Sequence, residues 1–308
     1  MTGDSATFRM RLPATSANLG SGFDAAAIAL NFALRIEAEA AEEFSIEASG
    51  LDSDQCSRLE NNLILGIYRH ILESNAKPAT PLAIRMHNEI PLGMGCGSSA
   101  AGRLAAVALA VHFGELGWCH EQILEEACAL EGHPDNAAAC WLGGFVAAAS
   151  DGRRVHVARV EPPASWRGII VLPRDSLATS KARAVLPASY ASADVVANIQ
   201  AVSMLGLAFA QQRGDLLRVA MQDRIHQPYR AEMCPMLPML LPLAGKSGIL
   251  GVGLSGAGPS VLVIAESEAK LPAASESITR AMEGFAKPRL LACCFDTSGA
   301  RNSFDPKP

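Results

Sequence analysis

Apolar and polar residues alternate with a period of two near the start of the chain, and short apolar segments follow further on. Both patterns predict β-strands. The segments are residues 9–12, 31–40, 81–90 and 168–172. Residues 143–150 and 154–160 flank Asp151-Gly152, a pair typical of a β-hairpin turn. Residues 261–265 are apolar without interruption, as expected of a buried strand.

Apolar residues spaced for one face of a helix predict amphipathic helices in two other parts of the chain. Within residues 54–73 these positions are Leu59, Leu63, Ile67 and Ile71. Within residues 192–212 they are Val195, Ile199, Val202 and Phe209. Further helices are predicted at residues 98–113, 120–131 and 215–224. Prolines predict that residues 235–242 are irregular.

Length and composition predict a globular chain of one large or two ordinary domains. The sequence has 308 residues, of which 49% are hydrophobic and 19% charged, so it can bury a sizeable core. Glu161-Pro162-Pro163 is the predicted domain boundary. We therefore expect one domain over residues 1–163 and a second over residues 164–308.

The charge balance and the cysteines exclude several classes of function. The net charge is −5 and no long basic run occurs, which argues against a nucleic-acid or anionic-membrane partner. Residues 1–10 hold no apolar run long enough for a signal peptide. The eight cysteines form no CxxC pair, so neither a zinc site nor a redox motif is predicted. We expect buried thiols in a reduced, cytoplasmic protein.

A glycine-rich loop, PLGMGCGSSAA at residues 91–101, is the first candidate for chemistry. Gly93, Gly95 and Gly97 allow positive φ and a close approach to a ligand. Ser98 and Ser99 then open a helix, whose free N–H groups can bind phosphate. A lysine of a Walker A loop is absent, as is the GxGxxG spacing of dinucleotide sites. The alternative is a plain turn before a serine-capped helix.

A second candidate is EGHPDN at residues 131–136. Glu131 falls on the apolar face of its predicted helix, and buried carboxylates are rare unless paired or bound to a cation. This favours Glu131 as a Mg²⁺ ligand, and the alternative is fraying of the helix or a partner arginine. Asp135 and Asn136 could serve the chemistry or act as helix N-caps. For His133 we favour a structural role in the loop.

A second glycine-rich stretch lies at residues 251–260, where four glycines in eight residues precede Pro259. This composition predicts irregular backbone that approaches a ligand or the first loop. The alternative is a tight turn between two strands.

Three of these segments together resemble the GHMP kinases. They are residues 13–24 (PATSANLGSGFD), 91–101 and 253–260, and they occur in the family's order over nearly the whole chain. Four features resemble the branch whose substrate is L-homoserine. They are residues 13–24, EGHPDN with the following Leu-Gly-Gly, residues 179–187 and residues 223–230. Cys96 departs from the family's usual leucine, and Ala178-Thr179-Ser180 departs from its usual Ser-Thr pair.

The resemblance implies an α+β fold, with an N-terminal domain resembling ribosomal protein S5 packed on a ferredoxin-like domain. It implies ATP and Mg²⁺ as cofactors, bound between the domains. The implied ATP-binding residues are Asn62, Pro91, Gly93, Met94, Gly95, Cys96, Gly97, Ser98, Ser99, Ala100 and Thr179. For Asn62 a polar position on a helix face is the alternative. The metal would lie between Glu131 and a serine, either Ser98 or Ser99.

The resemblance also implies the residues that meet a zwitterionic amino acid. They are Asn18, Asp24, Asp135, Asn136, Arg183 and Arg230. Two arginines suit a carboxylate because a guanidinium offers a bidentate fork, although any one arginine could be a surface charge. Glu131 and Asp135 are the expected catalytic residues, with Asp135 as a possible base. We expect a homodimer, the commonest assembly.

Other functions remain open at this point. Another small alcohol, such as L-threonine or mevalonate, could be the acceptor of the phosphate. The protein could also be a non-catalytic nucleotide-binding module on the same fold. The presence of Glu131, Asp135 and both arginines argues against this, because such a module would not need all of them. A dinucleotide oxidoreductase is disfavoured because no strand–GxGxxG–helix unit occurs.

Overall fold

The computed structural model describes residues 7–152, 154–285 and 288–304. The prediction drawn from residues 1–10 falls mostly on residues 1–6, which lie outside this part of the chain. Residue 153 of the predicted hairpin also lies outside it. All other predictions about the site fall on described residues.

The first half of the chain forms a mixed sheet in the order β3-β4-β2-β5-β6, with β1 also paired to β2. Only β3 and β4 run parallel. The strands are β1 (Phe8–Asn18), β2 (Gly22–Ala40), β3 (Ser45–Gly50), β4 (Leu82–Asn88), β5 (Phe145–Ser150) and β6 (Val155–Val160). Each predicted strand of this half is confirmed, and β2 extends well beyond residues 31–40 because residues 22–30 pair with β1 and β5.

Helices pack on this sheet through α3, which is buried along most of its length. The helices are α1 (Ser53–Cys56), α2 (Leu63–Ser74), α3 (Ser98–Gly114), α4 (His120–Glu131) and α5 (Asp135–Leu142). Small alanine side chains let α3 lie close to both α2 and α4. The predicted helix 120–131 has the bounds of α4, which places EGHPDN at the turn between α4 and α5.

The second half forms an antiparallel sheet in the order β10-β7-β9-β8. Its strands are β7 (Arg167–Leu172), β8 (Ile249–Leu254), β9 (Val261–Ala265) and β10 (Arg289–Cys293). Its helices are α6 (Thr179–Ala184), α7 (Ser192–Ala210), α8 (Gly214–Ala220), α9 (Gln227–Arg230), α10 (Met236–Leu240) and α11 (Leu271–Ala281). The predicted α+β fold is therefore confirmed.

Two hydrophobic clusters hold the described residues together. The larger contains most apolar side chains of the first sheet and its helices, and also Trp166, Leu205 and Leu262 from the second half. The smaller lies between the second sheet and α10 and α11. Because the larger cluster draws on both halves, the two sheets share apolar packing across the predicted boundary.

Two helix predictions are wrong in detail. Residues 54–73 are not one helix: the chain leaves α1 at Cys56 and restarts at Leu63, because Asn62 caps α2 through its side-chain oxygen. In α7 the buried residues are Asn198, Ala201, Leu205, Ala208 and Phe209, so of the four predicted face residues only Phe209 is buried. Val195 and Ile199 are exposed instead. The helix is in contact with α8, and its buried side combines Leu205 and Phe209 with the smaller Ala201 and Ala208.

Three further local predictions need correction. Residues 215–224 form a helix only as far as Ala220. Residues 235–242 form the short helix α10 and a following 3-10 turn, because their prolines occupy positions that these short elements tolerate. Gly251 and Gly253 belong to strand β8 and pair with β9, so the irregular backbone is limited to a register shift between Ile249 and Gly251 and to the turn before β9.

The helix α7 is the one described helix long and apolar enough to cross a membrane by length and composition. Its mean hydropathy is 1.5, and 28% of its apolar window is buried within the molecule. A single helix of this kind is weak evidence for a membrane span, and α7 is packed on α8 in the structure. We treat it as part of the globular fold.

The cysteines agree with the expectation of buried thiols. Five of the eight are buried, while Cys56 is half-buried and Cys119 and Cys294 are exposed. Burial raises the pKa of Cys96 to about 12 and that of Cys234 to about 11. These thiols therefore behave as small apolar side chains.

Candidate active site

A cavity of about 560 Å³ opens beside the first turn of α3. Its wall is built by the loop before α3, the turn between α4 and α5, the β1–β2 turn and residues of α6 and α9. Segments far apart in the chain therefore meet at one place. The volume is in the range of small-molecule sites.

The glycine-rich loop owes its shape to contacts with two other segments. Gly93, Gly95 and Gly97 have φ values of +67°, +72° and +72°. A Cβ on Gly95 would lie 2.1 Å from the Ser255 carbonyl oxygen, and one on Gly97 would lie 1.9 Å from Thr15 Oγ1. Only glycine fits at these two positions, because both the backbone conformation and the space exclude a side chain.

Hydrogen bonds fix the loop from both sides. The Ser255 hydroxyl donates to the Gly95 carbonyl over 2.7 Å, and the Thr15 amide donates to the Cys96 carbonyl over 3.1 Å. Gly97 is the N-cap of α3, without a side-chain cap, so the alternative of a serine-capped helix is wrong. Ser98 and Ser99 lie in the first turn, where free N–H groups favour an anion.

Both interpretations of the second glycine-rich stretch, residues 251–260, hold: it forms a turn between strands and it approaches the first loop. It is a turn between β8 and β9, and it also contacts the first loop through Ser255. The same turn reaches β1, since Asn18 Nδ2 donates to the Gly256 carbonyl and the Gly256 amide donates to the Ala17 carbonyl. The three segments that carry the resemblance are therefore in direct contact.

Most residues predicted for the nucleotide line the cavity. These are Asn62, Gly93, Gly95, Cys96, Gly97, Ser98, Ser99 and Thr179. Pro91, Met94 and Ala100 do not line it; Pro91 and Ala100 are buried, and the Met94 side chain packs on the larger cluster. The amide of Asn62 is engaged locally: it accepts from two amides of α2 and donates to the Cys56 and Arg58 carbonyls.

Glu131 faces inward as predicted, and it has a partner arginine. Arg103 NH1 lies 2.7 Å from Glu131 Oε2, and the side chains of Arg103 and Glu131 are 21% and 10% exposed. Arg103 also donates to the Ser99 hydroxyl and, through Nε, to the Leu130 carbonyl over 3.0 Å. One guanidinium thus contacts a predicted serine and the predicted carboxylate of the metal site.

The residues present fit a divalent cation. Serine hydroxyls and a carboxylate are the oxygen donors that Mg²⁺ prefers. Glu131 Oε2 is buried and, despite the nearby Arg103, has no aligned hydrogen bond among the described residues. A buried carboxylate oxygen with that much unsatisfied capacity can take a metal ion. Ser98 and Ser99 both line the cavity beside it.

Asp135 and Asn136 belong to the first turn of α5, whose N-cap is Pro134, so neither is the N-cap. Asp135 is 1% exposed, and its Oδ1 accepts from the Asn136 amide over 2.7 Å. Asn136 Oδ1 accepts from the Thr15 hydroxyl over 2.6 Å. Both side chains line the cavity.

His133 lies in the cavity wall rather than only in the loop backbone, a position that the sequence interpretation missed. Its Nδ1 is 2.6 Å from Asp135 Oδ1. Burial by itself would lower the pKa of His133, but the hydrogen bond to Asp135 and the surrounding carboxylates raise it above its ordinary value. Asp24, His133 and Asp135 each place a polar atom within 4.8 Å of the others.

The far side of the cavity carries two arginines. Arg183 forms a bidentate pair with Asp24, with N–O distances of 3.0 and 2.7 Å. Arg230 is 1% exposed and has no carboxylate within ion-pair distance in the described part of the chain. Its Nε donates to the Ala182 carbonyl over 2.9 Å, and its guanidinium lies 5.3 Å from the centre of the Phe23 ring. Burial and the charge of Arg183 lower the pKa of Arg230.

The six residues predicted for a zwitterionic substrate all line this cavity: Asn18, Asp24, Asp135, Asn136, Arg183 and Arg230. Sequence reasoning missed Arg103, His133 and His226. Helical spacing was the available signal for two of them, because Arg103 follows Ser99 by four residues and His226 precedes Arg230 by four.

Comparison with known proteins places these features in a family. The models described as GHMP kinases N terminal domain and GHMP kinases C terminal match residues 62–144 and 207–284. A homoserine kinase of Solibacter usitatus is 42% identical over 267 residues, covering 86% of this chain and 88% of that protein. A homoserine kinase of Moorella thermoacetica is 38% identical over 257 residues, covering 82% of this chain and 86% of that protein.

Solved structures show the same fold. A homoserine kinase of Cytophaga hutchinsonii superposes with a TM-score of 0.81 at 24% identity, covering 97% of this chain and 98% of that one. A mevalonate kinase of L. major, in complex with R-mevalonate, superposes with a TM-score of 0.72 at 13% identity and covers 95% of this chain and 97% of that one.

Proposed function

This chain belongs to the GHMP kinase family, and from that premise we propose that it is a homoserine kinase. The reaction transfers the γ-phosphate of ATP to the side-chain hydroxyl of L-homoserine, giving O-phospho-L-homoserine and ADP, as one step of threonine biosynthesis. The observation that carries the choice of substrate is the arrangement of Asp24, Arg183 and Arg230. Together these groups match an amino acid with both of its charges present.

The charges explain why a zwitterion suits the site. In the free protein Asp24 and Arg183 neutralise each other, while the buried Arg230 has no carboxylate partner among residues 7–152, 154–285 and 288–304. A ligand carboxylate would supply the missing partner for Arg230 and could share Arg183. If the ligand carboxylate shares Arg183, the pair between Arg183 and Asp24 weakens, and the ligand ammonium can then compensate the charge of Asp24. A ligand without an ammonium would leave the partly buried Asp24 carboxylate uncompensated.

Asn18 and Asn136 are proposed to position the remaining polar groups of the substrate. Asn18 is itself held, because its Nδ2 donates to Gly256 and its Oδ1 accepts from the Asp24 amide over 3.0 Å. Asn136 is held by Thr15. Side chains fixed in this way lose little freedom when a ligand binds, so they orient it at low entropic cost.

The phosphates of ATP are proposed to lie on the glycine-rich loop and the start of α3. The residues assigned to the nucleotide are Asn62, Thr179 and the loop residues 91–100 named above. For Asn62, Pro91, Met94 and Ala100 the contact would be through the backbone or through loop shape, since their side chains are engaged or buried. Backbone N–H groups suit an acidic protein that binds an anion with local devices.

Glu131 and one serine, either Ser98 or Ser99, would hold Mg²⁺ in this proposal. The ion, when bound, neutralises charge on the phosphate oxygens. Arg103 already contacts Ser99 and Glu131. Its guanidinium therefore compensates the Glu131 carboxylate while the metal is away, and it keeps that carboxylate close to the serines.

Asp135 is proposed to accept the proton of the substrate hydroxyl. Its Oδ1 is occupied by His133 and by the Asn136 amide, which fixes the orientation of the carboxylate. No hydrogen bond reaches Oδ2 from the described residues, so that atom remains able to accept. The orientation of the hydroxyl and the γ-phosphate would supply the remaining rate enhancement, because phosphoryl transfer has a loose transition state.

Other alcohols are the second candidates. Mevalonate carries a carboxylate but no ammonium, so it would disrupt the pair of Asp24 and Arg183 without compensating Asp24. L-Threonine has both charges but places its hydroxyl one carbon closer to them. A sugar such as galactose would leave both arginines unused. The charges therefore favour an amino acid, and hydroxyl position separates the two amino acids.

The test is to measure ADP release from MgATP with L-homoserine, L-threonine, mevalonate and galactose offered separately, with and without EDTA. We expect turnover that depends on Mg²⁺ and is strongest with L-homoserine. Turnover with mevalonate or galactose instead would remove the roles given to Arg183 and Arg230. Binding of ATP without turnover of any acceptor would favour the non-catalytic module.

We also expect a cytoplasmic homodimer that binds neither nucleic acid nor a membrane. The exposed apolar side chains of α7, among them Val196, Ile199 and Leu207, are the largest such group on one helix. Burial between two copies would remove them from water. Light scattering coupled to size-exclusion chromatography at several concentrations would show a dimer mass or contradict it.

A further inference from the structure

We propose that His226 is a positioning residue that fixes the guanidinium of Arg230 for the substrate carboxylate. His226 is fully buried and does not line the cavity. It therefore acts through Arg230 rather than by touching the substrate. The inference rests on the proposed function only in assigning the carboxylate to Arg230.

The partners of the imidazole fix its tautomer. His226 Nε2 lies 2.8 Å from the Gly20 carbonyl oxygen, which can only accept. Nδ1 lies 3.1 Å from Arg230 NH1, which can only donate. Both contacts are satisfied at once only by a neutral ring with its proton on Nε2. The nitrogens thus connect the β1–β2 turn to the arginine.

Neighbouring groups hold the ring in that place. The Phe23 ring is stacked on the imidazole, with 5.2 Å between ring centres and an angle of 24°. Asp223 accepts from the amides of Ile225, His226 and Gln227 at 2.6–3.0 Å, which fixes the backbone before α9. Phe23 of β2 and Asp223, in the segment before α9, therefore both hold the His226 ring in place.

The charges around the ring favour the neutral state. Three ionisable groups face it: Asp223 at 3.6 Å from Nε2, Arg230, and Asp24 at longer range. Burial lowers the pKa of His226, and Arg230 adds to this, which together outweigh Asp223. A protonated ring would turn Nδ1 into a donor facing another donor, so Arg230 would lose its contact.

Without His226, the Arg230 guanidinium would keep, among its contacts with described residues, the Ala182 carbonyl and the face of Phe23. A buried guanidinium with so few fixed contacts can take several orientations. Only part of that population would present two N–H groups to a carboxylate, and the apparent affinity falls by that fraction. The expected defect is therefore confined to the amino-acid substrate.

Two substitutions separate the two contacts of the ring. His226→Asn retains an acceptor near Nδ1 and loses the bond to Gly20, whereas His226→Gln retains a donor near Nε2 and loses the acceptor for Arg230. We expect His226→Gln to raise KM for L-homoserine about tenfold, as for the loss of one hydrogen bond to a charged group. His226→Asn should raise it by less, and KM for MgATP should stay at the wild-type value in both.

Wild-type KM for L-homoserine in His226→Gln would overturn the proposal. An equal rise of both KM values in either variant would also overturn it, since that is the mark of a general loss of structure. If the wild-type protein itself fails to turn over L-homoserine, the proposed function is wrong, and that outcome is distinct from either of these.

A measurement on the unmodified protein tests the tautomer even if the variants do not fold. In protein labelled with ¹⁵N at histidine, the two ring nitrogens of His226 should show the neutral form with the proton on Nε2 at pH 7. The assignment comes from the signal that is missing in either variant, or from through-bond correlation to the backbone. A protonated ring, or a proton on Nδ1, would overturn the proposal.

Discussion

Arg103 gives the buried carboxylate of Glu131 a partner that the sequence pattern did not identify. Glu131 was interpreted as a metal ligand or the partner of an arginine, and the structure places such an arginine 2.7 Å away. The two roles are compatible, because Glu131 Oε2, although close to Arg103, makes no aligned hydrogen bond with the described residues and so keeps capacity for a metal ion. The Arg103 guanidinium therefore compensates the Glu131 carboxylate in the protein without the proposed metal ion.

Replacing Arg103 by leucine should therefore destabilise the metal-free protein. Loss of the partner leaves a carboxylate that is 10% exposed without compensation, and after a discount for the partial exposure we expect a loss of about 1–3 kcal/mol. Unfolding in urea with EDTA would measure this loss of unfolding free energy, and Arg103→Lys should lose less than Arg103→Leu because it keeps the positive charge. Arg280→Leu, at an exposed pair with Glu276, is the matched control and should change the stability little. A similar small effect for both would contradict the role of Arg103.

Glu131 and Asp135 make different contributions, and conservative amides separate them. Glu131→Gln should reduce kcat by about 10²-fold or more, because the neutral amide binds Mg²⁺ poorly. Asp135→Asn should reduce kcat by about 10²–10⁴-fold if the carboxylate is the base. Single-turnover rates with saturating MgATP and L-homoserine would measure both. Turnover retained in Asp135→Asn would remove the base and leave orientation as the whole mechanism.

At the residue scale, the sequence could predict which side chains meet at the candidate site but not how they are supported. Asp24, Arg183 and Arg230 follow from their motifs, and the structure brings them to one cavity. Helical spacing relates Arg103 to Ser99 and His226 to Arg230, but it does not reveal their contacts with Glu131 and Gly20, which lie in distant segments. His133 was assigned to the loop because Pro134 follows it, while its hydrogen bond to Asp135 depends on the start of α5.

At the scale of elements, the loop before α3 depends on glycine for two separable reasons. Gly97 has a positive φ, and the space for its side chain is taken by Thr15. Gly117 has a comparable φ of +65° but nothing within 4 Å. Substitutions at Gly97 and Gly117 therefore distinguish the effect of backbone strain from that of a steric clash at the proposed phosphate site.

Gly97→Ala should abolish measurable ATP binding, because the new Cβ displaces Thr15 or the first turn of α3. Gly117→Ala should cost only the strain of the left-handed conformation, about 1–2 kcal/mol, and leave ATP binding unchanged. Calorimetric titration with MgATP and urea unfolding would measure the two effects. Equal ATP affinities for the two variants would show that the loop adapts to a side chain.

Periodicity predicted most elements because strands and helices differ in their spacing of apolar residues. It failed where another interaction was stronger. In residues 54–73 the four-residue spacing continues across a break, because Asn62 caps a new helix there. In α7 nearly every position is apolar or small, so the pattern could not tell which face would meet α8. In β8 strand pairing accommodates two glycines that looked incompatible with regular structure.

At the scale of the whole molecule, burial of His226 links stability to pH. Its pKa is lowered in the folded state, so between that pKa and the ordinary value of 6.5 the unfolded chain binds more protons. The contribution of the neutral His226 to the free energy of unfolding is complete above about pH 6.5 and is lost as the pH falls towards the pKa of His226 in the folded protein. The slope from this residue can reach about 1.4 kcal/mol per pH unit.

The comparison of wild type with His226→Gln isolates this contribution. We expect the difference between their unfolding free energies to shrink as the pH falls from 7.5 to 5, measured by urea titration at each pH. His156→Gln, at an exposed histidine of β6, is the control and should follow the wild-type curve. A pH-independent difference for His226→Gln would show that the ring is not held neutral.

The predicted boundary at residues 161–163 remains a prediction, although one sheet lies on either side of it. The larger hydrophobic cluster includes Trp166 and Leu262 with residues of the first sheet. A chain cut at residue 163 would therefore expose apolar surface on both pieces. Composition could not reveal this shared packing, because the residues concerned are far apart in sequence.

The contacts around the glycine-rich loop also limit how this motif can be transplanted. Its conformation depends on Thr15, on Ser255 and on the space that each leaves free. A graft of residues 91–101 onto the start of a helix in an unrelated protein would lack these supports and should relax to an ordinary turn. For protein engineering, the smallest transferable unit is therefore three discontinuous segments from opposite ends of the gene, and only a scaffold of this topology can receive them.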